Sequence, residues 1–295
     1  MKTRIVCVLA LLALALPALA QPPATEGTDE SVRTMRIDGD LTIDPQGKVL
    51  DYRITTPLQG QINGLLDKAV RHWTFQPVLV DGQPVTARTG MRITLGAREV
   101  ESGYAVAIDN VTFHNKEESA TGEKGISEET PEVSVKARSL VPPKYPSGLM
   151  RSQVSGGVML MVRVTPSGDV ADLAVVQSAV YNVKGQSKTL AMAREKFEDS
   201  VLAVARRWKF DVTAKLPNPD AEALTLAIPV QFVAFDTPAD PIGTWRVEQR
   251  GPLSIAPWLV SSQAQRIGIS DVDSNAPVPV ATRFHLNDEV RGRAL

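Results

Sequence analysis

Apolar and polar residues alternate along several short stretches of the chain, and in two of them a turn sequence of the form x-Pro-x-Gly interrupts the alternation. These stretches are residues 41–52 and residues 162–173. Proline fixes φ where the turn begins, glycine supplies a positive φ, and the flanking alternation gives each strand one apolar face. We therefore predict a β-hairpin in each stretch.

A helical pattern follows each hairpin and ends in Trp-x-Phe, at Trp73 in the first case and at Trp208 in the second. The apolar positions before these tryptophans are Ile62, Leu65, Leu66, Ala69 and Val70 in the first pattern, and Phe197, Val201, Val204 and Ala205 in the second. Their spacing places them on one helical face, and charged residues occupy the opposite face. The pattern predicts two amphipathic helices, each packed on a sheet, with the Trp and Phe side chains in the core between the layers.

A third strand is predicted to return after each helix. The interval from Phe75 to Ile93 is 18 residues, and the interval from Phe210 to Ile228 is also 18. Both intervals end in a period-2 run, and residues 104–113 are a further candidate strand. The repeated order strand, strand, helix, strand predicts an α+β fold with two domains, each a small antiparallel sheet with a helix packed on one face.

Changes in composition divide the chain into five predicted regions. The linker is rich in Glu and poor in large apolar residues, and the last region is rich in Pro, Asp and Ser without a regular period. The regions are a signal peptide (1–20), a first domain (34–113), an acidic polar linker (114–138), a second domain (139–236) and an irregular tail (237–295).

The first twenty residues have the pattern of a secretory signal peptide. Lys2 and Arg4 precede an apolar run, and Ala18-Leu19-Ala20 forms a cleavage site of small residues. The run is shorter than the roughly 20 residues that cross a bilayer. We expect cleavage, a periplasmic location and no integral membrane span in the mature chain; the alternative is an uncleaved anchor that holds the protein at the inner membrane.

Composition excludes several kinds of chemistry. Lys plus Arg is 32 and Asp plus Glu is 33, so no basic excess favours nucleic acid. The single cysteine, Cys7, lies in the leader, and the three histidines are far apart in sequence. There is no nucleophile elbow, P-loop or dinucleotide fingerprint. We expect no catalytic residue, metal or cofactor, and therefore no enzyme; a secreted hydrolase would lack its nucleophile and base.

Residues 271–275, Asp-Val-Asp-Ser-Asn, resemble the start of a calcium-binding loop. The sixth position is Ala276 where such a loop needs Gly, and the twelfth is Thr282 where it needs Glu. We therefore expect a solvated turn here.

Pro229 lies in the middle of the last period-2 run, residues 224–232. Proline cannot donate to a β-ladder, so it is confined to edge strands or bulges. An edge strand can accept a peptide by strand addition, but a proline can equally blunt the edge against aggregation. The candidate partner-binding residues of this strand are Leu224, Leu226, Ile228, Pro229, Val230 and Phe232.

The order of motifs in the second half of the chain is similar to that of a known family. The motifs are Val141-Pro142-Pro143-Lys144-Tyr145-Pro146, Gly157-Val158, Thr165-Pro166-Ser167-Gly168-Asp169-Val170, Arg207-Trp208-Lys209-Phe210 and Ile228-Pro229-Val230-Gln231-Phe232. Together they resemble the C-terminal domain of the TonB family. The first half resembles it over a shorter span, through Asp44-Pro45-Gln46-Gly47, Trp73-Thr74-Phe75-Gln76-Pro77 and Asp81-Gly82-Gln83-Pro84-Val85.

The resemblance implies a periplasmic α+β module that grips a short peptide of an outer-membrane transporter beside its last strand. Carried over by position, the gripping strand is residues 224–232, with Tyr145 and Pro146 packing nearby. The chain lacks the long Pro-Lys and Pro-Glu spacer of the family's energy transducers. We therefore expect a protein-interaction module that binds a transporter or another envelope peptide. The alternative is an anchored transducer that drives TonB-dependent transport, and a homodimer is left open.

Overall fold

The computed structural model describes residues 25–26, 29–58, 60–101, 103–114, 133–214, 219–235, 241–260, 263–272 and 276–295. The predicted signal peptide lies outside these residues. The strands are β1 (Thr25–Glu26), β2 (Glu30–Ile43), β3 (Val49–Ile54), β4 (Leu79–Val80), β5 (Gln83–Pro84), β6 (Ala87–Val100), β7 (Gly103–His114), β8 (Val133–Ser139), β9 (Gly156–Val164), β10 (Val170–Tyr181), β11 (Lys209–Ala214), β12 (Thr225–Phe232), β13 (Arg246–Arg250), β14 (Leu253–Ser254) and β15 (Val278–Pro279). The α-helices are α1 (Gly60–Val70), α2 (Ser147–Arg151) and α3 (Ser187–Ala205).

Within the described ranges, nine strands form one antiparallel sheet. Its order is β15-β12-β9-β10-β13-β2-β6-β7, and β3 pairs with β2 off this path. We call β2, β3, α1 and β6 the first unit, and β9, β10, α3 and β12 the second unit. In both units the first strand of the hairpin lies between the second strand and the strand that returns after the helix, which we call the return strand. The fold is thus α+β, as predicted, and its two units share a continuous sheet.

The hairpin turns of the two units have the same hydrogen bonds. The N–H of Gly47 donates to Asp44 and that of Gly168 donates to Thr165, each at 2.9 Å. Both glycines have a positive φ, of 80° and 85°. A Cβ at Gly47 would lie 2.0 Å from the carbonyl oxygen of Phe75, and the corresponding distance at Gly168 is 1.9 Å. Only glycine fits here, because the turn closes against the chain that follows the tryptophan.

The tryptophans that follow the two long helices fill the cores as predicted. Trp73 is 1% exposed and Trp208 is 2% exposed. Trp73 packs in the core under α1, and Trp208 packs with Phe197 and Val201 of α3. The helices lie on the sheet because their apolar faces match the alternating side chains of the strands beneath them.

Strand β13 joins the two units, although it lies in the region that was expected to be an irregular tail. It pairs with the end of β10 on one side and the start of β2 on the other. Ion pairs of Arg250 connect β13 to other strands, at 2.6 Å from Asp109 and 2.5 Å from Glu30, and Arg246 pairs with Glu248 within β13. Burial opposes ionisation of Glu248, but the two arginines outweigh it and lower the pKa of its carboxyl.

The region predicted as a linker, residues 114–138, lies mostly outside the described residues. Its last part forms most of β8. This strand pairs with β11, from Ser139 opposite Lys209 to Val133 opposite Ala214. The residues just before the second unit therefore form a two-stranded sheet with β11, the strand that follows Trp208.

Within the described ranges, no helix combines the length and the apolar character needed to cross a lipid bilayer.

Candidate functional site at the outer edge of strand β12

Strand β12 pairs with β9 along its whole length, from Thr225 opposite Arg163 to Phe232 opposite Gly156. The N–H of Val164 donates to the carbonyl of Leu224 at 2.9 Å. In an antiparallel pair the hydrogen-bonded positions alternate, so the even-numbered residues of β12 turn their backbone groups toward β9. The backbone groups of Thr225, Ala227 and Pro229 then point away from β9. We call this far side of β12 the outer edge.

Among the described strands, β15 pairs with the outer edge, and it does so at the start of β12. It pairs with Leu226 and Ala227, and the N–H of Val280 contacts the carbonyl of Thr225 at 3.4 Å. From Ile228 onward, none of the described strands continues the ladder on this side. Pro229 lies in that stretch at an outward-pointing position, so its missing N–H removes no bond to β9.

The candidate side chains of this strand lie in the core of the second unit and not on its surface. Each is less than 10% exposed, and the values are 7% for Leu224, 2% for Leu226, 1% for Ile228, 8% for Val230 and 4% for Phe232. They pack against α3 because alternate residues of a strand face the same layer. These side chains therefore hold β12 in the core and are not exposed for contact with a partner.

Tyr145 supports the end of β12 through an aromatic cluster. Its ring meets Phe232 and Phe197 edge-on, with centroids 5.5 and 5.8 Å away, and Phe197 stacks on Phe232 at 4.5 Å. Its hydroxyl donates to the carbonyl of Val154 at 2.7 Å, and partial burial raises its pKa. Pro146 precedes α2 and accepts a bond from Met150 at 2.9 Å. The structure thus brings both flanking residues to the second unit, and Tyr145 directly beneath β12.

Two apolar residues directly after β12 were missed by sequence reasoning. Val233 is 57% exposed and Phe235 is 72% exposed, while Ala234 between them is 3% exposed. The available signal was the continuous apolar run of residues 232–235, Phe-Val-Ala-Phe, which extends past the predicted end of the strand.

The return strand of the first unit has no comparable edge. β6 pairs with β2 from Arg33 to Ile43, and with β7 on its other side. β7 is covered in turn by the C-terminal residues: Ile108 donates to the carbonyl of Arg293 and Leu295 donates to that of Val106, both at 3.1 Å. The described residues therefore close this side of the first unit with the protein's own chain.

Asp271, which was expected in a solvated turn, is buried, so that prediction was wrong for this residue. Its carboxylate accepts bonds from Thr94 and Asn110 at 2.6 Å and from the N–H of Gly268 at 2.7 Å. Burial raises its pKa. Among the described residues, no three His, Cys, Asp or Glu side chains form a group that could hold a metal ion.

Comparison with known proteins finds a distant likeness to TonB proteins. The matches include Protein TonB of Xanthomonas campestris pv. campestris in two strains, B100 and ATCC 33913, each 28% identical over 100 residues. The match covers 34% of this chain and 38% of the length of each of these relatives. No protein-family model matches the chain, and no solved structure matches it.

Proposed function

We propose that the protein is a periplasmic interaction module that binds an extended peptide by strand addition at the outer edge of β12. The observation that carries this proposal is the pairing of β12, which is complete toward β9 and which, among the described strands, extends on the other side from Thr225 to Ala227. A strand edge that no neighbouring strand extends is a template for an added strand. The distant likeness to TonB supports a role in the cell envelope.

We further propose that the two units are copies of one TonB-like domain, spanning residues 34–113 and 139–236. The equivalent turns at Gly47 and Gly168 support this, as do the buried tryptophans and the equal order of strands. The second copy is the binding copy, because the return strand of the first is paired on both sides.

The partner is proposed to be a short periplasmic peptide of an outer-membrane transporter or of another envelope protein. Recognition by a backbone edge requires an extended segment with N–H and C=O groups free to pair, so a proline-rich segment is a poor partner.

A backbone N-methylation series tests this mode of binding. Labelled transporter peptides are titrated against residues 21–295, and each peptide nitrogen in turn is methylated. An added strand turns every second N–H toward β12, so methylation should weaken binding about tenfold at alternate positions and little between them. Equal loss at every position, or no binding at millimolar peptide, would contradict strand addition.

A substitution in the protein locates the strand and separates the two roles of Pro229. Pro229→Ala restores an N–H that points to the docked peptide, so it should tighten binding several-fold. Pro84→Ala, in β5 of the first half of the chain, is the matched control and should change nothing. Self-association of the Pro229→Ala protein without tighter peptide binding would show that the proline only blunts the edge.

A further inference from the structure

The side of β7 that is turned away from β6 is occupied by residues 291–295 of the same chain, which we call the strap. Ala294 lies opposite Ala107 in antiparallel register. Two backbone bonds of 3.1 Å flank this pair, from Ile108 to Arg293 and from Leu295 to Val106. This is the bonding pattern of an added antiparallel strand, formed here by a segment of the protein itself.

The strap is anchored at its start and largely exposed beyond it. Val290, which directly precedes the strap, is 5% exposed and packs in the core of the first unit. Gly292, Arg293 and Ala294 are exposed, and Leu295 is partly buried against the same core. The fold of the first unit therefore depends on Val290 more than on the strap that follows it.

A different segment bonds to the far end of β7. The side chain of Gln265 accepts a bond from the N–H of Phe113 at 2.6 Å and donates to its carbonyl at 2.9 Å. The N–H of Gln265 donates in turn to the carbonyl of Val280 at 2.9 Å. The strap thus pairs with the part of β7 that precedes Asn110, and its release leaves the bonds of Phe113 in place.

We propose that the strap is a built-in ligand that keeps a second strand-binding edge closed, and that residues 105–108 of β7 bind an extended peptide once the strap is released. An edge that pairs with one extended segment through its backbone can pair with another. A tethered segment has an effective concentration on the order of millimolar, so a free peptide at micromolar concentration does not displace it. This edge is separate from β12, and the inference does not rest on the proposed function.

The strap also shows which peptide fits this edge. Ala107 and Ala294 form a pair without mutual hydrogen bonds, in which Cα atoms lie about 4.5 Å apart, so a small side chain is favoured opposite Ala107. Gly292 has a φ of 72°, which favours glycine two positions earlier. The guanidinium of Arg291 donates to the side-chain oxygen of Asn110 at 3.0 Å. The recognised pattern is therefore Arg-Gly-x-small.

A peptide supplied in trans tests the proposal. A fluorescent peptide of residues 289–295, Glu-Val-Arg-Gly-Arg-Ala-Leu, is titrated against residues 21–295 and against residues 21–290, which keep Val290 and lack the strap. We expect the shorter protein to bind at least tenfold more tightly, because no tethered segment competes with the peptide. Equal affinities, or no binding to residues 21–290 at millimolar peptide, would overturn the proposal.

A substitution that keeps the full chain gives the same test if the shorter protein does not fold. Gly292→Val strains the strap, because a β-branched residue is disfavoured at positive φ, while the added Cβ meets no atom within 4 Å. It should raise the affinity for the peptide about tenfold. Gly82→Val is the matched control, since Gly82 has a φ of 75° and equally open surroundings in the turn between β4 and β5. Unchanged affinity for Gly292→Val, or an equal gain for Gly82→Val, would contradict release of the strap.

Disulfide formation locates the bound peptide. The single cysteine of the chain, Cys7, lies ahead of residue 21, so an introduced thiol has no competitor. Ala107→Cys in residues 21–290 should form a disulfide with a peptide that carries Ala294→Cys, because the Cα separation of this pair suits the bond. A peptide that carries Arg293→Cys is the control and should react at least tenfold more slowly. Equal rates for the two peptides would show that the peptide does not take the place of the strap.

Discussion

The return strands β6 and β12 follow similar hairpins and helices, yet among the described strands β6 is paired along both sides and β12 is paired on its outer side at its start alone. The chain after β6 turns back at once and forms β7, which covers β6 from Gly90 to Val100. The chain after β12 leaves the edge and comes back as β13 on the far side of β10. Similar local patterns thus give different surfaces, because the segment that follows each unit decides whether its last strand is covered.

The C-terminal residues extend this difference. Leu286 bridges to Phe75, and the carboxylate of Asp288 accepts a bond from Thr74 at 2.9 Å, so the segment after Trp73 is covered by the end of the chain. In the second unit the corresponding segment, β11, pairs with β8 instead. The end of the chain therefore closes the first unit more completely than it closes the second.

Truncation of the two core tryptophans should give the largest effects and should affect the units alike. Trp73→Ala and Trp208→Ala each remove a side chain that is at most 2% exposed. Each should lower the free energy of unfolding by about 3–5 kcal/mol, measured in denaturant. A loss below about 0.5 kcal/mol for either variant is typical of a surface position and would break the equivalence of the two units.

A smaller substitution should separate the units. Nε1 of Trp208 donates to the carbonyl of Val141 at 2.8 Å, whereas Nε1 of Trp73 is buried without an acceptor among the described residues. Trp208→Phe therefore removes a hydrogen bond and Trp73→Phe does not. The loss of unfolding free energy should be about 1 kcal/mol greater for Trp208→Phe. Equal losses would mean that Val141 does not anchor the tryptophan.

Much of each unit could be predicted from the sequence because its signals are local. The turn glycines, the helical spacing before Trp73 and Trp208 and the period of residues 224–232 mark strands and helices within a few residues of where they lie. The return strand with Pro229 was predicted in the same way, since a proline within an apolar period-2 run has few places in a sheet.

The strands that join the units could not be predicted in this way. β13 reads Arg-Val-Glu-Gln-Arg, and its burial depends on charges from β2 and β7, which no local pattern reveals. β8 carries a readable alternation of Val133, Val135 and Ala137, but the acidic composition before it favoured a linker. The pairing of β15 with the start of β12 depends on long-range packing of Val278 and Val280, which alternate with Pro277 and Pro279.

The most direct test of the proposed binding at β12, and of the closed side of β6, is an amide chemical-shift map of the protein with and without a bound peptide. A labelled sample of residues 21–295 is titrated with the tightest-binding transporter peptide. We predict that the shifts concentrate at residues 228–235 and at the neighbouring end of β15, with no change above noise in residues 87–114. Shifts centred on β6 and β7, or an unchanged β12 with the peptide bound, would contradict the account.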